Sequence, residues 1–214
     1  MRKFRLWGSI LLLAALVLAG GWAWWSLDLR WRPKTITRHE AEIAELLKAS
    51  GWVSPGLPGG PLYMVSFRSC PDCVRFETEA FPGLQAAGVD TRVIMVARRD
   101  VHGMAKSTPA ERATVAQLWL TRDWKLMQAW TATPAQAWTA PGLPAADGDM
   151  ARTAVVESGR DLVDRLRPLL KANGVNFAYP MLIWWNAKGE LRACPCEKRE
   201  SYGYVRQELE GRRS

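Results

Sequence analysis

The sequence predicts an α/β domain, and two patterns carry that prediction. The first is the order of strand, Cys-x-x-Cys motif, helix and strand over residues 62–97, which is typical of a parallel β-α-β unit. The second is a hairpin pattern near the C-terminus, where residues 181–185 and 190–193 flank a turn that ends in Gly189. Residues of helical character fill about 103–175, so we expect one sheet that carries a helical insertion.

Composition and charge argue against a nucleic-acid partner. The chain has 214 residues, 48% of them apolar, which suits one folded domain with an anchor or tail. Its net charge is +8, but residues 1–34 hold six basic residues and one acidic residue, and so account for +5 of it. The remaining residues carry no run of like charge. The basic residues flank an apolar segment, where they would meet anionic lipid headgroups.

Residues 6–25 form an uncharged stretch of about the length that crosses a bilayer as one helix. Trp22, Trp24 and Trp25 lie where an interfacial aromatic belt is expected. The sequence therefore predicts one N-terminal transmembrane helix. The alternative is a cleaved signal peptide, because residues 17–19 resemble a cleavage site.

Three segments follow from these patterns. Residues 1–34 are predicted to be the membrane anchor and a basic neck. Residues 35–61 are predicted to hold a short helix, capped by Thr37, and a linker rich in proline and glycine. Residues 62–214 are predicted to be the catalytic domain. Within it, the helix after the cysteine motif is expected over 74–80, ended by Pro82.

The Cys-Pro-Asp-Cys motif at residues 70–73 is the strongest chemical signal. A thiolate attacks a disulfide and a thiol does not, so a redox cysteine needs an environment that favours its anion. Cys70 is expected at a helix N-terminus, where free N–H groups stabilise negative charge. Pro71 suits the first helical position. Asp72 would oppose a nearby thiolate, and Cys73 is expected to be the more buried, resolving thiol.

Two other interpretations of the motif remain open. A Cys-x-x-Cys pair is also half of a zinc site, and Cys194 and Cys196 could complete a set of four sulfurs. An inert structural disulfide is the second. The zinc interpretation is weakened because this pair follows an apolar strand and opens a helix, whereas zinc knuckles lie in short turns. His39 and His102 lie far from every cysteine in sequence and provide no support for a cysteine–histidine hydrolase.

Residues 62–211 resemble the thioredoxin superfamily and, within it, the periplasmic Dsb-type disulfide isomerases and oxidoreductases. The resemblance rests on the strand that runs into Phe-Arg-Ser-Cys-Pro-Asp-Cys, on the helical insertion, and on the Tyr179-Pro180 step before the hairpin. It implies a thioredoxin-like fold in which Pro180 is cis and faces Cys70 and Cys73. It also implies that Tyr179, Pro71 and Asp72 contact the substrate, and that no cofactor or metal is needed.

The chain departs from the soluble isomerases of that family, which dimerise through an N-terminal domain. Only a neck and a short helix separate the predicted anchor from the linker here. An oxidase, a reductase and an enzyme with few clients therefore remain open. The Pro-Asp dipeptide between the cysteines does not indicate a redox direction.

Cys194-Pro-Cys196 is a second cysteine pair. The second strand of the hairpin should end near the first pair, within about 15 Å, the extended reach of some four residues. Three interpretations of this pair remain open: a second redox centre, a stable local disulfide, and a pair of metal ligands. The even number of cysteines suits an oxidising compartment.

From the sequence we expect a thiol:disulfide oxidoreductase that acts on protein substrates from the periplasmic side of the inner membrane. We expect a membrane electron-transfer partner and no nucleic acid. The alternatives are a membrane-tethered reductase, and a non-enzymatic metal-binding or assembly module that uses the four cysteines. Cleavage after residue 19 would instead release the protein into the periplasm.

Overall fold

The computed structural model describes residues 2–27 and 29–210, in two units that divide after Arg32. The first unit contains helix α1, Arg2–Leu27, and a 3-10 turn, Leu29–Trp31. The Trp31 indole N–H donates to the Ser26 carbonyl at 3.0 Å. No described helix is long and apolar enough to cross a membrane. The predicted membrane span is thus not confirmed, and its residues 6–12 have side chains outside the described part.

The second unit is built on a five-stranded mixed sheet with strand order β1-β5-β4-β2-β3. Its strands are β1, Lys34–Thr35, β2, Pro61–Ser66, β3, Asp90–Met95, β4, Met181–Trp185, and β5, Leu191–Pro195. Strands β2 and β3 are parallel, and the other neighbouring pairs are antiparallel. The predicted β-α-β unit and the predicted hairpin are both present. This strand arrangement agrees with the thioredoxin-like fold.

The helices of this unit are α2, Glu40–Ala49, α3, Pro71–Ala86, α4, Pro109–Thr121, α5, Trp124–Ala132, α6, Met150–Lys171, and α7, Tyr202–Glu210. Helices α4 to α6 lie between β3 and β4 and form the predicted insertion. The capping box that begins α4 is formed: the Glu111 N–H donates to the Thr108 hydroxyl at 3.1 Å.

The sheet has a separate hydrophobic core on each face, because alternate residues of a strand point to opposite sides. Met64 of β2 and Trp184 of β4 pack with residues of α3 and α7 on one face. Val65 and Ile183 pack with residues of α2 and α6 on the other. Strand β2 lies between β4 and β3 and is buried from Leu62 to Ser66, so it is an interior strand of the sheet. Its end is where the cysteine motif begins.

Two predicted helix boundaries are wrong. Helix α3 begins at Pro71 and continues through Pro82 to Ala86. A proline inside a helix costs about 3 kcal/mol, since it removes one backbone hydrogen bond. Burial of Phe81 and Leu84, worth roughly 1.5–3 kcal/mol for each side chain, offsets that cost and keeps this turn helical.

The predicted cap of α2 is also wrong. His39, with φ of 59°, is the residue before the helix, and it makes no side-chain cap. The backbone N–H of Thr37 instead donates to the Asn173 side-chain oxygen at 2.9 Å. This bond ties the chain before α2 to the end of α6. A contact between residues so far apart in sequence could not be foreseen from local capping patterns.

Candidate active site

The geometry of the first cysteine pair follows from its place at the start of α3. Cys70 is the N-cap residue, in an extended conformation, and Pro71 takes the first helical position. The Cys73 N–H donates to the Cys70 sulfur at 3.1 Å. N-terminal N–H groups of a helix stabilise negative charge on a capping atom. Cys70 therefore has the local environment that a nucleophilic sulfur requires.

Cys70 and Cys73 form a disulfide, and both are shielded from solvent. Cys70 is 2% exposed and Cys73 is 1% exposed, so the expected difference in burial is absent. Pro71, by contrast, is exposed and Asp72 is half-buried. An approaching protein would meet these two residues first. In the oxidised state, attack on either sulfur requires a local rearrangement.

The bond between Tyr179 and Pro180 is cis, as the family resemblance implies. Pro180 is buried and directly precedes β4. Tyr179 packs edge-on against Phe67 with ring centroids 4.9 Å apart. Phe67 accepts a backbone hydrogen bond of 3.1 Å from Cys70. Tyr179 is thus connected to the cysteine loop through one aromatic ring.

The second cysteine pair also forms a disulfide, Cys194–Cys196, at the end of β5. The Cys196 N–H donates to the Pro180 carbonyl at 3.1 Å. Both cysteines are buried in the same hydrophobic core as Phe76 of α3. The second disulfide therefore lies against the backbone of the cis proline, on the sheet face that the cysteine helix covers.

Arg75 links the surroundings of the two disulfides. Its guanidinium pairs with the Asp72 carboxylate at 2.5 Å and donates to the Glu197 carbonyl at 2.5 Å. It also donates to the Tyr202 hydroxyl at 3.3 Å. Asp72 lies between the first two cysteines, and Glu197 follows Cys196. The positive charge opposes the effect of Asp72 on a neighbouring thiolate.

A cavity of about 470 Å³ lies between α3 and α5. Arg68 and Glu77 contribute its charged groups, and Val74, Trp124 and Met127 its apolar ones. The Arg68 guanidinium donates to the Trp130 carbonyl at 2.9 Å and to the Thr133 carbonyl. Part of the Glu77 side chain reaches the surface, but loss of water around its carboxylate raises the pKa of Glu77 to about 7. The positive charge of Arg68 lowers the pKa of Glu77, but by less than the loss of water raises it.

Sequence reasoning missed Glu77 as a neighbour of the site, whereas Arg68 and Arg75 were expected to offset the charge of Asp72. Glu77 is four residues after Cys73, so a helix that begins at Pro71 places it one turn further on the same side. The spacing was therefore present in the sequence, because Pro71 was expected in the first helical position. Arg75 is three residues after Asp72, a helical spacing that favours ion pairs.

The two histidines lie at the surface. His39 and His102 are both exposed and both have positive φ, His102 in a turn between Val101 and Met104. Among residues 2–27 and 29–210, no three His, Cys, Asp or Glu side chains are grouped so that they could hold a metal ion.

No family model matches the chain, and no curated protein matches it. Among solved structures, the catalytic domain of Proteus mirabilis ScsC is similar, with a TM-score of 0.47 and 15% sequence identity. The match covers 80% of this chain and 95% of that domain. A likeness this distant supports no argument about activity, so the fold assignment rests on the strand order described above.

Replacing the Glu77 carboxyl by an amide should change stability in one pH range only. The unfolded chain loses the Glu77 proton near pH 4.5, whereas the folded protein keeps it until about pH 7. Stability therefore falls as pH rises between these values. We expect Glu77→Gln to be neutral at pH 4 and to stabilise the protein at pH 8 by on the order of 2 kcal/mol.

Urea unfolding of both proteins at the two pH values measures this difference. Glu79→Gln is the matched control on the same helix, because its carboxylate pairs with Arg199, which lowers the pKa of Glu79. That variant should lose stability at pH 8. An equal effect of Glu77→Gln at both pH values would contradict the raised pKa.

Proposed function

We propose that this protein is a thiol:disulfide oxidoreductase that acts on protein disulfides through Cys70 and Cys73. The observation that carries the proposal is a Cys-x-x-Cys disulfide at a helix N-terminus, in a sheet whose neighbouring strand begins at a cis proline. The capping N–H on the Cys70 sulfur supports Cys70 as the nucleophile.

The proposed reaction proceeds in two exchange steps. The Cys70 thiolate attacks a client disulfide, a Cys70–client disulfide forms, and one client thiolate leaves. The Cys73 thiolate then attacks the Cys70 sulfur, the second client thiolate leaves, and Cys70–Cys73 is oxidised as the client is reduced. The reverse sequence oxidises a client. Isomerisation needs only the first step and its reversal at another client cysteine.

We propose that the client binds as an extended strand beside Pro180. Backbone groups next to the cis proline would hold it by strand-like hydrogen bonds, and Tyr179 would contact its side chains. The exposed ring of Pro71 and the Asp72 carboxylate lie at the surface over the buried sulfurs, which supports their contact with the client. Binding there would supply the rearrangement that exposes Cys70.

The direct test is to trap the mixed disulfide with full-length Cys73→Ser, incubated with a disulfide-bonded peptide. We expect Cys70 to accumulate a covalent peptide adduct, visible by mass spectrometry, because the resolving thiol is gone. Full-length Cys70→Ser is the matched control and should give none.

A glutathione titration of the unaltered protein should show a reversible two-electron Cys70–Cys73 couple, whose midpoint indicates oxidant or reductant. Absence of the adduct, or pairing of Cys70 with Cys73 only after a metal is stripped, would refute the enzyme. The metal-binding or assembly module would then be the better proposal.

We also propose that Cys194–Cys196 is a second redox pair that exchanges electrons with Cys70–Cys73. The bond from Cys196 to the Pro180 carbonyl and the Arg75 link between Asp72 and Glu197 support it. In the exchange a dithiol at one pair reduces the disulfide at the other, so two electrons and two protons are transferred. A client disulfide then reoxidises the newly reduced pair, and an external membrane dithiol reduces the newly oxidised pair, which restores the starting state.

Variants that keep one cysteine of each pair test this exchange. We expect at least one of the four double Cys→Ser variants, such as Cys73→Ser with Cys194→Ser, to form the interpair disulfide in a glutathione buffer. Cys194→Ser with Cys196→Ser is the control, which should retain Cys70–Cys73. If none of the four links, the second disulfide is a local staple.

For localisation, we propose that residues 6–25 tether the domain to the inner membrane, with the cysteines in the periplasm. The uncharged run supports the tether. The pairing of all four cysteines in disulfides supports an oxidising compartment. A reporter enzyme that is active only in the periplasm, fused after residue 34, should be active and membrane-bound. Activity in the soluble periplasmic fraction would instead indicate signal cleavage, and an inactive fusion would refute periplasmic placement.

A further inference from the structure

A second cavity, of about 290 Å³, is lined in part by Tyr179. Its volume is just below the roughly 300–1,000 Å³ typical of small-molecule sites, which suits a single side chain. Its charged and aromatic lining consists of Arg98, Arg99, Arg160, Asp164, Arg167 and Tyr179. With four arginines and one carboxylate, the side chains that line this cavity carry a net positive charge.

The cavity is joined to the cysteine loop by stacked side chains. The Arg98 guanidinium lies 3.9 Å from the centroid of the Phe67 ring, which in turn packs against Tyr179. Phe67 is three residues before Cys70 and accepts its backbone N–H. A client held beside Pro180 would therefore reach the cavity with a side chain near its reacting cysteine, since extended residues advance about 3.3 Å each.

Two of the arginines keep their charge available. Within the described chain, Arg99 and Arg160 form salt bridges with carboxylates of α6, whereas Arg98 and Arg167 form none. Arg167 lies over the Phe177 ring at 4.8 Å, and that ring packs edge-on against Tyr179 with centroids 5.1 Å apart. The Nε of Arg98 is buried without a hydrogen-bond partner. A buried donor of this kind favours a ligand that supplies an acceptor.

We infer that this cavity binds an acidic side chain of the client polypeptide, close to the cysteine that reacts with Cys70. The inference rests on the proposed exchange at Cys70. Planar guanidinium groups match the two oxygens of a carboxylate, and the aromatic rings hold these two guanidinium groups in place. The site thus selects clients with Asp or Glu beside the reactive cysteine.

Neighbouring acidic residues limit how much negative charge the cavity accepts. Asp164 lines it, and together with Asp161 and Glu157 it surrounds Arg99. A client with one or two carboxylates would be favoured, while a long acidic run would meet repulsion from α6. The partner is therefore a polypeptide with isolated acidic residues rather than a polyanion.

Peptides that differ only beside one cysteine test the inference. Each carries Glu, Gln or Lys next to a cysteine that is joined by a disulfide to a chromophoric aryl thiol. The Cys70 thiolate of the reduced protein displaces the aryl thiolate and becomes bonded to the peptide. We expect the Glu peptide to react about tenfold faster than the Gln peptide, the effect of one charge-assisted contact, and the Lys peptide to react slowest.

The double variant Arg98→Gln with Arg167→Gln should bring the Glu-to-Gln rate ratio close to one. Arg165→Gln is the matched control. Arg165 lies on α6, as Arg167 does, but it is outside the cavity and its guanidinium is 4.0 Å from the Glu42 carboxylate. It should keep the full preference. Circular dichroism verifies that each variant is folded.

Binding of the same peptides with serine in place of cysteine separates this inference from the exchange activity. If no peptide reacts but the Glu peptide still binds best and needs both arginines, the exchange fails and the acidic-residue site stands. Equal rates or equal affinities for the Glu and Gln peptides would overturn the site. A preference for the Glu peptide that survives in the double variant would also overturn it. So would a double variant that slows the reaction with glutathione disulfide but not the reaction with the Glu peptide.

Discussion

The parallel pairing of β2 with β3 is the constraint on which the rest of this structure depends. Parallel neighbours require a crossover between them, and α3 provides it. Since β2 is buried on both faces, the crossover must begin at the end of a central strand, and that start is Cys70. The cysteine thus acquires a helix N-terminus and surrounding buried strands from one topological requirement.

The charges around the cysteine motif are arranged in pairs on opposite sides of α3. Asp72, which would disfavour a thiolate at Cys70, is held by Arg75 at 2.5 Å. On the other side, Arg68 is fixed by two carbonyls of the α5 end, and its charge only partly offsets the desolvation of Glu77. A protein that exchanges disulfides needs a thiolate that is stable enough to form and reactive enough to leave. Under the proposed function, these paired charges would adjust that balance.

Much of the fold around the cysteines was predictable because its signals are local. The apolar run of β2, the proline at the helix start and the glycine that ends the hairpin turn are each determined by neighbouring residues. The cis bond at Pro180 was predictable only through the family resemblance. Three features were not predictable: β1, which is two residues long, the passage of α3 through Pro82, and the equal burial of Cys70 and Cys73. Each depends on packing against residues far away in sequence.

The same distinction explains why the surroundings of the site were harder to foresee than its cysteines. Motif spacing identifies Cys70 and Cys73, but the residues that surround Tyr179 come from the chain after β2, from the chain after β3, and from α6. They meet only because the helical insertion returns the chain to the start of β4. The Pro180 carbonyl meets Cys196 at that point, and Tyr179 and Arg167 line the same cavity. The Tyr179-Pro180 step before β4 is thus where a bound client, the second disulfide and the arginine cavity would act on one another, since a shift of this backbone would move all three contacts together.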